Sequence, residues 1–213
     1  RNMYSRVLTI SFDASIRYRV SVPDFQIAVQ NNAVRGRREI YSSGISIAAV
    51  LAQFNIDTAA GGFLGADNKR IFVDYFEESR IHDQYFYYPS STTEIIEILN
   101  PEKEEYTAVS IGSTDFSSDI LSAFRNHFSK IISDYSYVIF SGKLPEYVEA
   151  SFFSELAAIS KKQDVFTVID TDGAAMKESV NSGCIDFVRT DKNTFSELFG
   201  ADDTDTVNSI LSK

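Results

Sequence analysis

Short β-rich blocks alternate along the chain with blocks of helical spacing. "VLTISF" near the start, "TAAGGFLG" from Thr58, "YVIFSG" from Tyr137 and "VFTVID" from Val165 read as strands. Between and after them, apolar residues recur at helical intervals and predict helices over 44–54, 68–79, 117–132, 148–161 and 191–199. Several of these open on Ser, Asp or Asn at the N-cap position, where a short polar side chain accepts a free backbone N–H. Strands and helices alternating at crossover spacing predict an α/β domain with a mostly parallel sheet.

Two stretches break the alternation. "IRYRVSV", from Ile16 to Val22, and the segment from Tyr85 to Ile111 show period-two patterning, the latter folding back at the polar turn "NPEKEE". They predict a small antiparallel sheet assembled from two insertions. Such a sheet has a face to bury and only the rim of the main domain, or another subunit, to bury it against, so it reads as a lid.

"YSSGISIAAVL", from Tyr41 to Leu51, reads as a turn opening a helix. The first N–H groups of a helix have no intrahelical partner and sit at the positive end of its dipole, so an anion site is expected there.

A chain of 213 residues, 44% apolar, suits one domain with a small appendage. Its formal net charge of -10 opposes binding to nucleic acid or to an anionic membrane. The basic cluster Arg35, Arg37 and Arg38 reads as a solvated loop or strand edge. A single cysteine, Cys184, forms no internal disulfide, and no apolar run has the length of a membrane span or a signal core, which points to the cytoplasm. The two histidines, His82 and His127, lie far apart and offer neither a zinc-type cluster nor a catalytic triad.

"GGFLGADN" at 61–68, "VIFSGKLPEYV" at 138–148 and "VIDTDGAAMKESVNSGCIDFVRTDKNTFSELFG" at 168–200 follow one another at characteristic spacings. In them the chain resembles the PfkB branch of the ribokinase-like sugar kinases, the group of 1-phosphofructokinases and tagatose-6-phosphate kinases. The resemblance runs the whole length. It implies a ribokinase-like, Rossmann-like α/β fold over 1–213, without the family's C-terminal third, and a β lid from insertions at about 14–40 and 84–112. It also implies transfer of a phosphoryl group from ATP, with magnesium, to a sugar phosphate held under the lid at the carboxyl ends of the strands.

Several family positions carry other residues here. Where the first strand of the family ends in "TLNPALD", the chain reads "TISFDASIR", so Arg17 stands in place of an acceptor Asp. Arg17 is either part of a changed pocket or a lid residue pointing at solvent. The family's "GGKGIN" corresponds to "YSSGIS": Gly44 is kept, while Tyr41, Ser42, Ser43 and Ser46 replace two glycines, a lysine and an asparagine. The expectation is a relic that still holds a small anion at the helix start without discriminating phosphosugars. In the lid, Thr93, Ile95 and Glu97 take the places of "TRINVK", putting an acid where a base would face the sugar's phosphate. Ser110 and Gly142 are the remaining positions on the sugar side. On the nucleotide side "RTDKNT" replaces "KPNxxE", giving Arg189, Asp191 and Thr194, and Asp191 reads more readily as the N-cap of the following helix than as a cation ligand.

The family's "GAGD" motif, with its general base, lies downstream of the "ELFG" helix and past Lys213, so no residue is assigned as the base. The preferred expectation is a phosphosugar-kinase-like protein that is catalytically impaired. The alternative is a genuine fructose-1-phosphate or tagatose-6-phosphate kinase of which the chain is a fragment. Clasped lids in the family imply a homodimer, with Tyr85, Phe86, Tyr87, Ile96 and Ile98 as the lid's apolar surface.

Overall fold

The computed structural model describes residues 6–112 and 116–200, so the expected 1–213 domain extends past the described residues. In chain order the first half comprises β1 (Val7–Ser11), β2 (Ser15–Ser21), β3 (Arg35–Tyr41), α1 (Ser43–Gln53), β4 (Thr58–Gly65), α2 (Arg70–Ser79) and β5 (His82–Tyr88). The second comprises β6 (Glu94–Asn100), β7 (Glu105–Ile111), α3 (Ser118–Ile131), β8 (Tyr137–Ser141), α4 (Phe152–Lys161), β9 (Phe166–Asp170), α5 (Gly173–Asn181), β10 (Phe187–Val188) and α6 (Lys192–Phe199).

Six strands form one sheet in the order β10, β9, β8, β1, β4, β5, and every neighbouring pair is parallel. Alternation along β4 sends Ala59 and Phe63 into a core with α3 and α4, and Ala60 and Leu64 into another with α1 and α2. Both faces are therefore covered, and β1 and β4 are buried at every position.

β1 sets the site. Leu8 and Ile10 enter the first core, while the alternate positions carry small polar groups that grip α1. Thr9 Oγ1 donates to the Gly44 carbonyl at 2.9 Å, and Ser11 Oγ lies 2.7 Å from Ser42 Oγ. Phe12, just past the strand, sits among the rings of Phe63, Phe124, Phe152 and Phe153 at centroid distances of 5.1, 5.3, 5.3 and 5.7 Å. That cage fixes where the next residue, Asp13, projects. Since β1 is flanked by β4 on one side and by β8 on the other, the chain departs from it in opposite directions, and the crevice beyond its carboxyl end is where open sheets of this kind bind ligands.

The second sheet runs β3, β2, β6, β7. Two expectations are corrected here. His82–Tyr88 belongs to the main sheet, parallel to β4, so the second insertion enters this sheet only at Glu94. Tyr85 is buried, stacking on Phe76 of α2 at 5.5 Å. Period-two patterning fits an edge strand of either sheet and does not say which. The second sheet is also mixed: β2 pairs antiparallel with β3 but parallel with β6, as two separate insertions allow. The basic cluster lies on β3, an edge strand, where Arg37 pairs with Glu39 at 3.1 Å and Arg38 lies 5.2 Å over the ring of Tyr18.

Candidate functional site

A cleft of about 610 Å³ opens between the carboxyl ends of β1, β8 and β9 and the second sheet. Of the sequence-predicted positions, Arg17, Ser43, Thr93, Gly142, Arg189, Asp191 and Thr194 line it, together with Ile95 and Tyr41. Ser42, Gly44, Ser46, Glu97 and Ser110 do not.

The start of α1 explains part of this division. Ser42 is its N-cap, and the first three N–H groups of the helix are all taken by side chains: Ser43 N–H donates to Asp13 at 3.0 Å, Gly44 N–H to Ser11 Oγ at 3.1 Å and Ile45 N–H to Ser42 Oγ at 3.3 Å. The Ser43 hydroxyl also donates to Asp13. The expectation of free donors awaiting an external anion is thus corrected: the chain's own Asp13 carboxylate occupies that position. A side chain at Gly44 would place Cβ 2.7 Å from Ser11 Oγ, so glycine here lets α1 lie against β1. Ser46 turns its hydroxyl back to the Ser42 carbonyl at 2.9 Å. Behind them the Tyr85 phenol lies 3.5 Å from Ser42 Oγ, and burial pushes it far above its usual range, so it stays neutral.

Gly142 closes over Asp13 from β8. Its φ is +76°, and a Cβ there would fall 2.4 Å from Asp13 Oδ2 and 2.8 Å from Ser43 Oγ. Asp13, Ser43 and Gly142 converge on one point of the cleft floor. Asp13 was missed by sequence reasoning. The signal that could have found it is a carboxylate two residues past the central strand of an α/β sheet.

On the opposite wall, the Arg17 guanidinium lies over the ring of Tyr41, its Cζ 3.6 Å from the centroid. Tyr41 is thus a platform as well as bulk. Glu97 does not present its carboxylate to the cleft. It is buried in the second sheet, accepting from Arg19 Nε at 2.7 Å, from the Tyr106 hydroxyl at 3.1 Å and from Arg17 Nη1 at 3.3 Å. Burial alone would raise its pKa, but the hydrogen bonds from Arg19 and Tyr106 and the two arginine charges hold it below the usual carboxylate range. Ser110, on the exposed β7, pairs in register with the cleft-lining Ile95 but does not itself line the cleft.

At the far end the charges are paired with one another. Arg189 Nη1 donates to both Asp170 oxygens at 2.8 and 3.0 Å, and Lys143 lies 3.2 Å from Asp172. Asp191 caps α6, accepting from Thr194 N–H at 2.8 Å and from Thr194 Oγ1 at 3.3 Å, and the first of these holds its carboxyl below the usual range.

Comparisons place this architecture. A family model described as pfkB family carbohydrate kinase matches residues 43–213. The 1-phosphofructokinase of Rhodobacter capsulatus is 25% identical over 175 residues, which are 82% of this chain and 55% of that protein. The tagatose-6-phosphate kinase of Staphylococcus epidermidis is 23% identical over 172 residues, which are 81% of this chain and 55% of that protein. The chain thus spans about half the length of the curated relatives it matches. Among solved structures, phosphofructokinase-2 from Escherichia coli in complex with fructose-6-phosphate shares the fold with a TM-score of 0.81 at 16% identity, covering 98% of this chain and 68% of that one. A family match over most of the chain, a parallel sheet carrying a second sheet over its strand ends, and a cleft at the switch point agree: the chain belongs to the pfkB family of carbohydrate kinases.

Proposed function

We propose that this chain is the sugar-binding part of a phosphosugar-kinase-like protein impaired in phosphoryl transfer. The observation that carries the reading is Asp13, held by Ser43 and covered by Gly142, as a fixed acceptor at the switch point. A carboxylate bound to backbone N–H and hydroxyl retains lone pairs that accept sugar hydroxyls.

Membership of the family implies ATP and a divalent metal in general. The described residues do not fit them. Asp191 is held as the cap of α6, Arg189 is engaged with Asp170, and among the described residues no group of three or more His, Cys, Asp or Glu side chains is placed to hold a metal. Phosphoryl transfer relies on positioning and charge neutralisation, and cations already paired with acids supply little of either.

Calorimetric titration with fructose, fructose 1-phosphate, fructose 6-phosphate and tagatose 6-phosphate, run beside a coupled assay with ATP and magnesium, tests this reading. Saturable binding without turnover is expected, and no saturable binding refutes it. Magnesium-dependent turnover would instead favour a second reading, suggested by the half-length match to the relatives, in which a longer polypeptide is a working fructose-1-phosphate or tagatose-6-phosphate kinase.

A homodimer through the second sheet belongs to the same proposal, with a changed surface. Tyr85, Phe86 and Tyr87 lie in the main sheet, whereas β7 is an edge strand exposed along its whole length and carries Tyr106, Val109 and Ile111. An edge with unpaired backbone groups and apolar side chains is a ready pairing surface. Sedimentation at micromolar concentration is expected to show a dimer that Val109→Asp converts to monomer; a monomer in the unmodified protein would count against it.

A further inference from the structure

We propose that the half of the main sheet formed by β8, β9 and β10 is a self-association surface, on which the α1 helix of a second copy of this chain lies. The contact is separate from the β7 edge and forms at higher concentration.

Beyond β1 the main sheet is covered on one face only by the described residues. Val138, Phe140, Thr167 and Ile169 are buried on the side of α4 and α5. The alternate positions turn the other way. There Tyr137, Phe166 and Phe187 are 40%, 42% and 55% exposed, while Ile139 and Val168 belong to neither core. Register keeps these five together, pairing Tyr137 with Phe166, Ile139 with Val168 and Val168 with Phe187. The rings of Tyr137 and Phe166 lie 5.6 Å apart. Parallel sheets ordinarily carry helices on both faces, so five apolar side chains open on one of them call for a cover.

The same apolar surface continues onto α1. This helix places Ile45, Ala48, Ala49 and Ala52 in the core that it shares with α2. Ile47 and Leu51 belong to neither core, and Val50 and the C-cap residue Phe54 are 53% and 74% exposed. No residue of α1 is charged, whereas every other described α-helix carries at least one charge. A helix that is apolar all round is ordinarily buried all round.

Dimensions and charge fit a second copy. Three strands of about five residues present a face about 10 Å across and 17 Å long. An eleven-residue helix such as α1 is about 16 Å long and 10–12 Å wide with its side chains. In a two-fold pair each α1 rests on its own sheet through Ile45 and Ala48 and on that of the second copy through Val50 and Phe54. Ile47 and Leu51 then face the other α1, and every contact is made twice. Two chains of net charge -10 repel each other, and the side chains that would meet here are all uncharged. At about 200 Å² for a whole aromatic side chain, the exposed fractions of Phe54, Phe187, Phe166 and Tyr137 leave roughly 400 Å² in water. With the aliphatic residues added, two copies remove about 1,000 Å², the lower end for a specific interface. Association at tens of micromolar follows, above the range in which the β7 contact forms.

The test is sedimentation of the full chain carrying Val109→Asp, which removes the β7 contact and leaves this surface untouched, so that the two contacts succeed or fail separately. A reversible monomer–dimer equilibrium with a Kd of about 10–100 μM is expected. It should tighten severalfold between about 0.05 and 0.5 M salt, as the repulsion between the two negative copies is screened. Phe54→Lys and Phe187→Asp, each added to that background, should weaken it about tenfold or more. An equimolar mixture of the two should associate better than either alone, because it sets the introduced lysine against the introduced aspartate on one side and leaves both phenylalanines on the other. If Phe187→Asp does not fold, Phe187→Ser, with a loss in association as the expected result, takes its place. The proposal is overturned by a monomer up to about 300 μM, a concentration well above the expected Kd. It is equally overturned by association that neither substitution weakens, or by a mixture no better than its parts. A monomer that binds an apolar fluorescent dye, with binding lost in Phe187→Asp, overturns it in favour of a helix from a different polypeptide.

Discussion

Replacing Asp13 by alanine is expected to weaken sugar binding by about 10- to 100-fold, the range of a hydrogen bond to a charged acceptor worth about 1.5–3 kcal/mol. The same change leaves Ser43 N–H and its hydroxyl without their partner at the start of α1, so a stability loss of about 1–2 kcal/mol should accompany it. Asp13→Asn separates the two effects, because an amide keeps one acceptor oxygen of the right size but carries no charge. Calorimetry and urea unfolding on both variants provide the measurement. Unchanged sugar affinity in Asp13→Ala would remove Asp13 from the site and leave it only as a helix cap.

The second large effect is expected at Phe12. Truncation to alanine opens a void among four phenylalanine rings, and large-to-small changes of this kind cost about 3–5 kcal/mol. Because Phe12 immediately precedes Asp13, binding should fall more than stability alone explains, whereas Phe12→Leu should retain most of both. Urea unfolding of the two variants, with sugar titration at temperatures where each remains folded, checks the claim. A loss below about 1 kcal/mol for Phe12→Ala would show that the cage collapses around the gap.

The main sheet was legible because its central strands are covered on both faces and their apolar runs are nearly unbroken; the strand expected from Thr58 does run Thr58–Gly65. Helices were legible through their spacing and caps, and Asp191 does cap α6. β5 was assigned to the wrong sheet because an alternating run carries no information about its partner. β3 passed as loop or edge because "RGRREIY" is mostly exposed and its charges are balanced across the sheet, by Glu39 within the strand and by the ring of Tyr18 beside it.

In the site, reading each substituted family position in isolation gave a tally of losses. The structure shows side chains trading roles over distances that sequence does not record. Asp13, not position 17, carries the carboxylate at the cleft floor, and Glu97, read as an acid set against the ligand, is buried between two arginines. The helix start read as empty is filled from a residue 30 positions earlier. Such pairings follow from the meeting of β1, α1 and β2, which local patterning does not contain.

The pairing of β2 with β6 joins Ile16 to Glu94 and Ser21 to Leu99, segments separated by the whole of α1, β4, α2 and β5. Closing so long a loop is entropically costly until the intervening crossovers have packed and brought its ends together. The wall that carries Arg17 is therefore expected to assemble after the floor that carries Asp13. A nascent or partly unfolded molecule would possess half a cleft, so recognition of a ligand by both walls at once would report on the maturity of the whole fold.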